Sequence, residues 1–151
     1  MSRAFVREDD RAVEAPLPPD DDTPAPVTPE GMTALRARLA AYDGDPERAA
    51  HAAWLTRRLA RLTVIDEAPA DASRIAFGAT VTVEHDDGSE TTWRIVGPDE
   101  VELHEGGVSV TSPVAKALLG RHIGEEVRLV RPRGAIEVTV SAVRYLRRAA
   151  S

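Results

Sequence analysis

Residues 107–124, GVSVTSPVAKALLGRHIG, hold a strand, a helix and a stop signal in one short run. Val108 and Val110 alternate with Ser109 and Thr111, the period of a strand with one buried face. Ser112 then stands where a helix N-cap belongs, with Pro113 at the first helical position, where its missing N–H costs nothing and its fixed φ suits the helix. Val114, Ala117, Leu118 and Leu119 supply the buried stripe of a helix of about two turns. Gly120 is the expected left-handed exit. This is the core of a folded domain.

Working outward, the residues on both sides keep the strand period. Toward the C-terminus, Val127, Leu129 and then Ile136, Val138, Val140 and Val143 form a last hairpin about Pro132-Arg133-Gly134. Toward the N-terminus, Ala79 to His85 is a strand, Asp86-Asp87-Gly88-Ser89 a hairpin turn, and Glu90 to Val96 its partner. Gly97-Pro98-Asp99 turns again, and Val101 to Leu103 reads as a further short strand. Residues 74–147 are therefore expected to be one α+β domain, an antiparallel sheet with one short helix. Residues 66–73, DEAPADAS, read as a linker.

Before the linker the period changes. Thr28 is the N-cap and Pro29 the first residue of a helix whose apolar positions Met32, Leu35, Leu39 and Tyr42 recur at 3-4-3 spacing. Asp43-Gly44-Asp45-Pro46 breaks it, and Asp45 can cap a second helix with Ala52, Leu55, Leu59 and Leu62 in the same pattern. Residues 27–65 thus read as an antiparallel two-helix coiled-coil hairpin. Residues 1–26 combine acids, five prolines and low hydrophobicity, which predicts a mobile tail. Two readings stay open for it: an interaction arm held through Phe5 and Val6, or a solubilising tail.

The net charge of −6 hides an uneven distribution. Residues 1–30 carry −5, residues 31–65 carry +3, and residues 66–151 carry −4. An acidic chain gains little from neutralising duplex phosphates, so free duplex DNA is not an expected partner. The chain has no cysteine, which removes disulfide and thiolate chemistry and suits a reducing cytoplasm. No apolar run approaches the length of a membrane span, and MSRAFVREDD lacks the apolar middle of a signal peptide. A soluble, cytoplasmic protein without membrane contact is the expectation.

Five pieces in order carry a family likeness: Phe77-Gly78-Ala79-Thr80-Val81, then Arg94-Ile95-Val96-Gly97-Pro98-Asp99-Glu100, then Ser112-Pro113 with Ala117-Leu118-Leu119-Gly120, then Gly124-Glu125-Glu126-Val127, then a closing strand ending at Tyr145. Over residues 73–146 closely, and from Val27 to Leu62 more loosely, the chain resembles the bacterial Gre transcript-cleavage factors. The resemblance implies an FKBP-like C-terminal domain that docks beside the secondary channel of RNA polymerase, and a hairpin that enters the channel. It implies an accessory factor rather than an enzyme, acting as a monomer. In proportion the chain is similar to the short-hairpin relative Rnk, because a first helix of about 14 residues reaches only about 21 Å at 1.5 Å per residue.

Candidate residues follow from the residues and from the resemblance together. Asp43, Asp45 and Glu47 lie at the hairpin tip, where in the Gre factors carboxylates help place a second Mg²⁺ for transcript cleavage. Their other reading is turn and capping residues, and no cofactor is expected in that case. Arg57, Arg58 and Arg61 beside Trp54 form a basic face that could grip an acidic polymerase rim or the transcript RNA within the complex; a solvated helix face is the alternative. The resemblance places a docking face on Ser112 to Gly120 and on Asp99 to Glu105, with Asp99, Glu100, Ser112 and Pro113 as contacts, while Ser112, Pro113 and Gly120 also have a purely fold-keeping role open to them. His51, His85, His104 and His122 show no metal-ligand spacing. With Phe77, Trp93 and Tyr145 as its only aromatics, the domain is not expected to catalyse prolyl isomerisation.

Overall fold

The computed structural model describes residues 17–146. Its order begins with a strand that the proline-rich sequence hides, Ala25–Val27 (β1), leading straight into helix α1, Pro29–Ala41. Thr28 lies between them in extended conformation, and its hydroxyl accepts the Gly31 N–H at 3.0 Å, satisfying one of the amides a helix start leaves over. Gly44 turns the chain at φ +78°, a region open to glycine without a Cβ clash. A single 3-10 turn, Pro46–Arg48, then leads into helix α2, Ala49–Leu59. The return ends in Leu62–Val64 (β2), which pairs in parallel with β1, Ala25 opposite Leu62 and Val27 opposite Val64. Backbone hydrogen bonds therefore tie both ends of the two-helix excursion together. Val27, Met32, Leu35 and Leu55 are its buried core, with Leu39, Tyr42, Trp54, Leu59 and Leu62 packed around them. Most of the expected seam is here; Leu62, expected on the second helix, lies in β2.

The second core belongs to a five-stranded sheet. Its strands are Thr80–His85 (β3), Glu90–Val96 (β4), Gly107–Ser109 (β5), Glu126–Arg131 (β6) and Gly134–Arg144 (β7), in the order β5-β4-β3-β7-β6. Helix α3, Pro113–Leu118, crosses between β5 and β6 and lies against β6. Alternation puts Val81, Val83, Val127, Leu129, Val138 and Val140 into the core with Ile75, Ala79, Ile95, Ala115 and Leu118. One residue breaks the alternation on β7. Thr82 pairs with Ala142 but Val83 with Val140, so Ser141 is a bulge, and its hydroxyl donates to the Thr82 carbonyl.

Two expectations are corrected. The sheet is not wholly antiparallel, because β5 pairs in parallel with β4, Ile95 opposite Val108. Val101–Leu103 is a 3-10 turn rather than a strand, closed by Leu103 N–H to Glu100 C=O and His104 N–H to Val101 C=O. The mobile tail expected over 1–26 lies outside the described residues up to position 16. Beyond it, Ala25 and Pro26 are in β1 and the residues before them lie on α2.

Candidate functional site

The tip between α1 and α2 is built from turn chemistry. Asp45 Oδ1 accepts the Glu47 N–H at 3.0 Å, capping the 3-10 turn, and Asp45 Oδ2 lies 3.5 Å from Arg48 Nε. Arg48 sits over the Tyr42 ring at 5.8 Å, and the His51 ring meets Tyr42 edge-on with centroids 6.2 Å apart. Asp43 and Glu47 are exposed. Among the described residues no three His, Asp, Glu or Cys side chains stand together as a metal-binding group. Asp45 is thus engaged by an amide and a guanidinium, as a turn-capping residue would be.

The four residues expected on one basic face separate into two roles. Arg58 is buried, 6% exposed at its side chain, and forms a bidentate pair with Asp99: Nε to Oδ2 at 2.5 Å and Nη2 to Oδ1 at 2.9 Å. Its Nη1 donates to the carbonyls of Asp21 and Thr23. The hydrogen bond to Asp99 raises the pKa of Arg58, against the opposing effect of burial. Arg57 and Arg61 point outward, toward Asp20 at 2.9 Å and Asp22 at 3.8 Å, and Trp54 Nε1 donates to the Pro19 carbonyl at 3.3 Å.

Asp99 and Glu100, expected on the docking face, instead join the helices to the sheet. Glu100 has no exposed surface. Its Oε2 accepts the Thr28 and Gly97 amides, each at 2.8 Å, and its Oε1 accepts the Thr28 hydroxyl at 2.5 Å and His104 Nε2 at 2.8 Å. A buried carboxylate needs this many donors to offset its lost hydration. Arg94 Nη1 lies 3.3 Å from His104 Nδ1 and can only donate, so Nδ1 accepts and the ring carries its proton on Nε2. Arg94 Nη2 also donates to Glu30 at 2.9 Å. Burial pushes the Glu30 carboxyl up, and the hydrogen bond and charge of Arg94 outweigh it, leaving the pKa below its ordinary value.

Two glycines let the surfaces meet. A Cβ on Gly31 would fall 1.8 Å from Glu100 Oε1, and one on Gly97 would fall 1.9 Å from the Pro26 carbonyl oxygen. Sequence reading missed this junction. A signal was present in Gly31, since glycine in a first helical turn costs about 1 kcal/mol relative to alanine and so marks a close approach.

Ser112 Oγ accepts the Ala115 N–H at 3.2 Å as the N-cap of α3. Pro113 beside it is exposed, as are Thr111 and Lys116. The structure thus brings Ser112 and Pro113 to one surface and withdraws Arg58, Asp99 and Glu100 into the body of the molecule.

Residues 70–145 match the family model of the C-terminal domain of the transcription elongation factors GreA/GreB. Transcription elongation factor GreB of Pseudomonas aeruginosa is 46% identical over 81 residues, covering 54% of this chain and 48% of that protein, so the chain spans about half the length of that relative. GreB of Xanthomonas axonopodis pv. citri is 32% identical over 160 residues, covering 85% of this chain and 95% of that one. The solved GreA/GreB elongation factor from Nitrosomonas europaea aligns at a TM-score of 0.46 with 24% identity, over 81% of this chain and 98% of that one. The matched segment takes in the whole five-stranded sheet with its capped helix, and the Xanthomonas match extends over the helices as well: this chain belongs to the GreA/GreB family of transcription elongation factors.

Proposed function

We propose that this protein is an accessory regulator of bacterial RNA polymerase in the cytoplasm, binding as a monomer. Its sheet domain docks beside the secondary channel, and the two helices, acting as a short coiled-coil hairpin, occupy the channel without efficiently stimulating transcript cleavage. The observation that carries this reading is the length of α1, 13 residues. That gives a reach of about 20 Å at 1.5 Å per residue, in proportion with the short-hairpin relative Rnk. A carboxylate must come within about 2 Å of Mg²⁺ to ligate it, so a tip that stops short supplies no ligand. The capping bond of Asp45 to Glu47 N–H supports the same reading. In this proposal Ser112 and Pro113 lie on the polymerase-facing surface, with Trp54, Arg57 and Arg61 on the flank of the hairpin.

The test is a cleavage assay on backtracked elongation complexes, with and without a competing full-length Gre factor. The expected result is binding that displaces the competitor, with no Mg²⁺-dependent acceleration of cleavage by the protein itself. A second reading, an active cleavage factor, draws on the exposure of Asp43 and Glu47 at the tip. It requires that the wild type accelerate cleavage and that replacing Asp43, Asp45 and Glu47 by Ala abolish this while binding persists. Purified core polymerase that does not bind the protein would refute both.

A further inference from the structure

The segment Leu17 to Pro24 is laid over α2, and neither the fold nor the proposed function accounts for it. Its C-terminal end is fixed: Arg58 holds the carbonyls of Asp21 and Thr23, and the Ala25 N–H donates to the Arg61 carbonyl where β1 begins. Its N-terminal part is held differently. Asp20 meets Arg57 with side chains 65% and 56% exposed, and Asp22 lies 3.8 Å from Arg61 with its own side chain 88% exposed. Ion pairs this exposed contribute little and are screened by salt. The strip also lines an open groove of about 580 Å³, through Pro18 and Pro19, together with Arg38, Trp54 and Leu55 among others.

We propose that Pro18 to Asp22 is a displaceable internal ligand, and that the Trp54–Arg57–Arg61 face beneath it is a docking surface for an extended, acidic, proline-containing segment of a partner protein. The internal strip supplies the chemistry of the ligand: a carbonyl to the indole N–H from Pro19, and carboxylates to successive outward arginines from Asp20 and Asp22. A peptide fits better than a single-stranded nucleic acid. In the strip the indole N–H is met by a backbone carbonyl and the arginines by carboxylates, groups that an acidic peptide carries and a nucleic acid does not. Tethering gives the strip an effective concentration that a free peptide must overcome, so the surface is masked until the strip is loosened.

The experiment uses the full-length chain and needs no polymerase, so its outcome is separate from that of the cleavage assay. A peptide of the strip's own sequence, LPPDDDTPA, is titrated into the wild type and into the D20N/D22N variant, following the Trp54 indole N–H by NMR. Both substituted side chains are exposed, and the melting curve of the variant reports that its fold is intact. The expected result is binding to the variant about three- to tenfold tighter than to the wild type, the scale that losing two exposed ion pairs of the tethered strip allows. This binding should be lost in salt of about 0.5 M, where charges are screened beyond a few ångströms, and with the neutral peptide LPPNNNTPA. Equal affinity for both proteins, or none for the variant, overturns the proposal. So does a short oligouridylate that binds the variant more tightly than the acidic peptide.

Discussion

Replacing Gly31 by Ala should unseat the helices from the sheet domain, although alanine is the better helix former. In an unconstrained first turn the change would stabilise α1 by about 1 kcal/mol. Here the new Cβ would lie 1.8 Å from Glu100 Oε1 and 2.7 Å from its Cδ, in a carboxylate with no exposed surface to move into. Relief to ordinary contact needs a shift of roughly 1.6 Å, which breaks the two bonds made by Oε1, to the Thr28 hydroxyl and to His104. Hydrogen bonds to a charged group contribute about 1.5–3 kcal/mol each, so the net loss is about 2–5 kcal/mol after the helix gain.

The two tryptophans report the two cores separately, Trp54 packing with the helices and Trp93 with the sheet. Urea unfolding followed by each, in single-tryptophan backgrounds, should show the Trp54 transition moving to lower denaturant while the Trp93 transition holds. A double-mutant cycle with Glu100→Ala isolates the cause, because only the Cβ of residue 100 then stands near the added one, at 3.1 Å, a contact that a shift of a few tenths of an ångström relieves. In that background Gly31→Ala should be neutral or stabilising. Additive losses in the cycle, or a single variant as stable as the wild type, would refute the steric account of this junction.

Three further outcomes follow from the structure. Arg58→Leu should destabilise the helices by about 3–5 kcal/mol, since it leaves Asp99 largely buried without its partner and frees two carbonyls; the Trp54 transition again measures it. Ser112→Ala removes the N-cap of α3 and should cost about 1 kcal/mol, lowering the melting temperature of the sheet domain by several degrees without moving the Trp54 transition under denaturant. Glu125 is held below its ordinary value of 4.5 by its hydrogen bond to His122, against a smaller desolvation effect. A carboxyl depressed in the fold adds stability that is full above that ordinary value and is lost as pH falls through the lower folded value, so Glu125→Gln should lower the neutral plateau slightly and leave the most acid region unchanged, which flattens the acid limb of a stability-against-pH curve.

The sheet domain was legible because its signals are local and agree with one another. Ser112, Pro113 and Gly120 mark both ends of α3, and aliphatic residues at alternate positions mark β3, β6 and β7. Even the bulge left a trace, since the spacing from Val140 to Val143 slips the phase that Ile136, Val138 and Val140 keep, and Ser141 is the extra residue. What stayed hidden depends on pairing between distant segments. A three-residue strand at Ala25–Val27 has too few positions to show a period, and its partner at Leu62–Val64 looks like the tail of a helical seam. Glu100 reads as a surface acid in a Gly-Pro-Asp-Glu turn, and only the arrival of Thr28, 72 residues away in sequence, turns it into a buried acceptor. Arg57, Arg58 and Arg61 look equivalent on paper. The sheet decides between them by placing Asp99 within reach of one alone.

That junction sets the aim of the helices as well as their stability. Buried charges are poor contributors to net stability but define geometry sharply when every donor and acceptor is matched. In α1, about 20 Å long, a tilt of 10° at the base moves the tip by roughly 3.5 Å, more than the width of a hydrogen bond. A protein proposed to place its tip in a confined channel therefore needs a base with one seating. Glu100→Met keeps much of the volume while removing the fixed acceptor, and the expected result is a loss of stability, since the Thr28 and Gly97 amides lose their acceptor, together with a broadened distance distribution between spin labels at Glu47 and at Arg128, both exposed positions. Distributions of equal width in the two proteins would mean that the apolar cluster of Val27, Met32, Leu35 and Leu55 alone orients the helices, and that the carboxylate contributes only to cohesion.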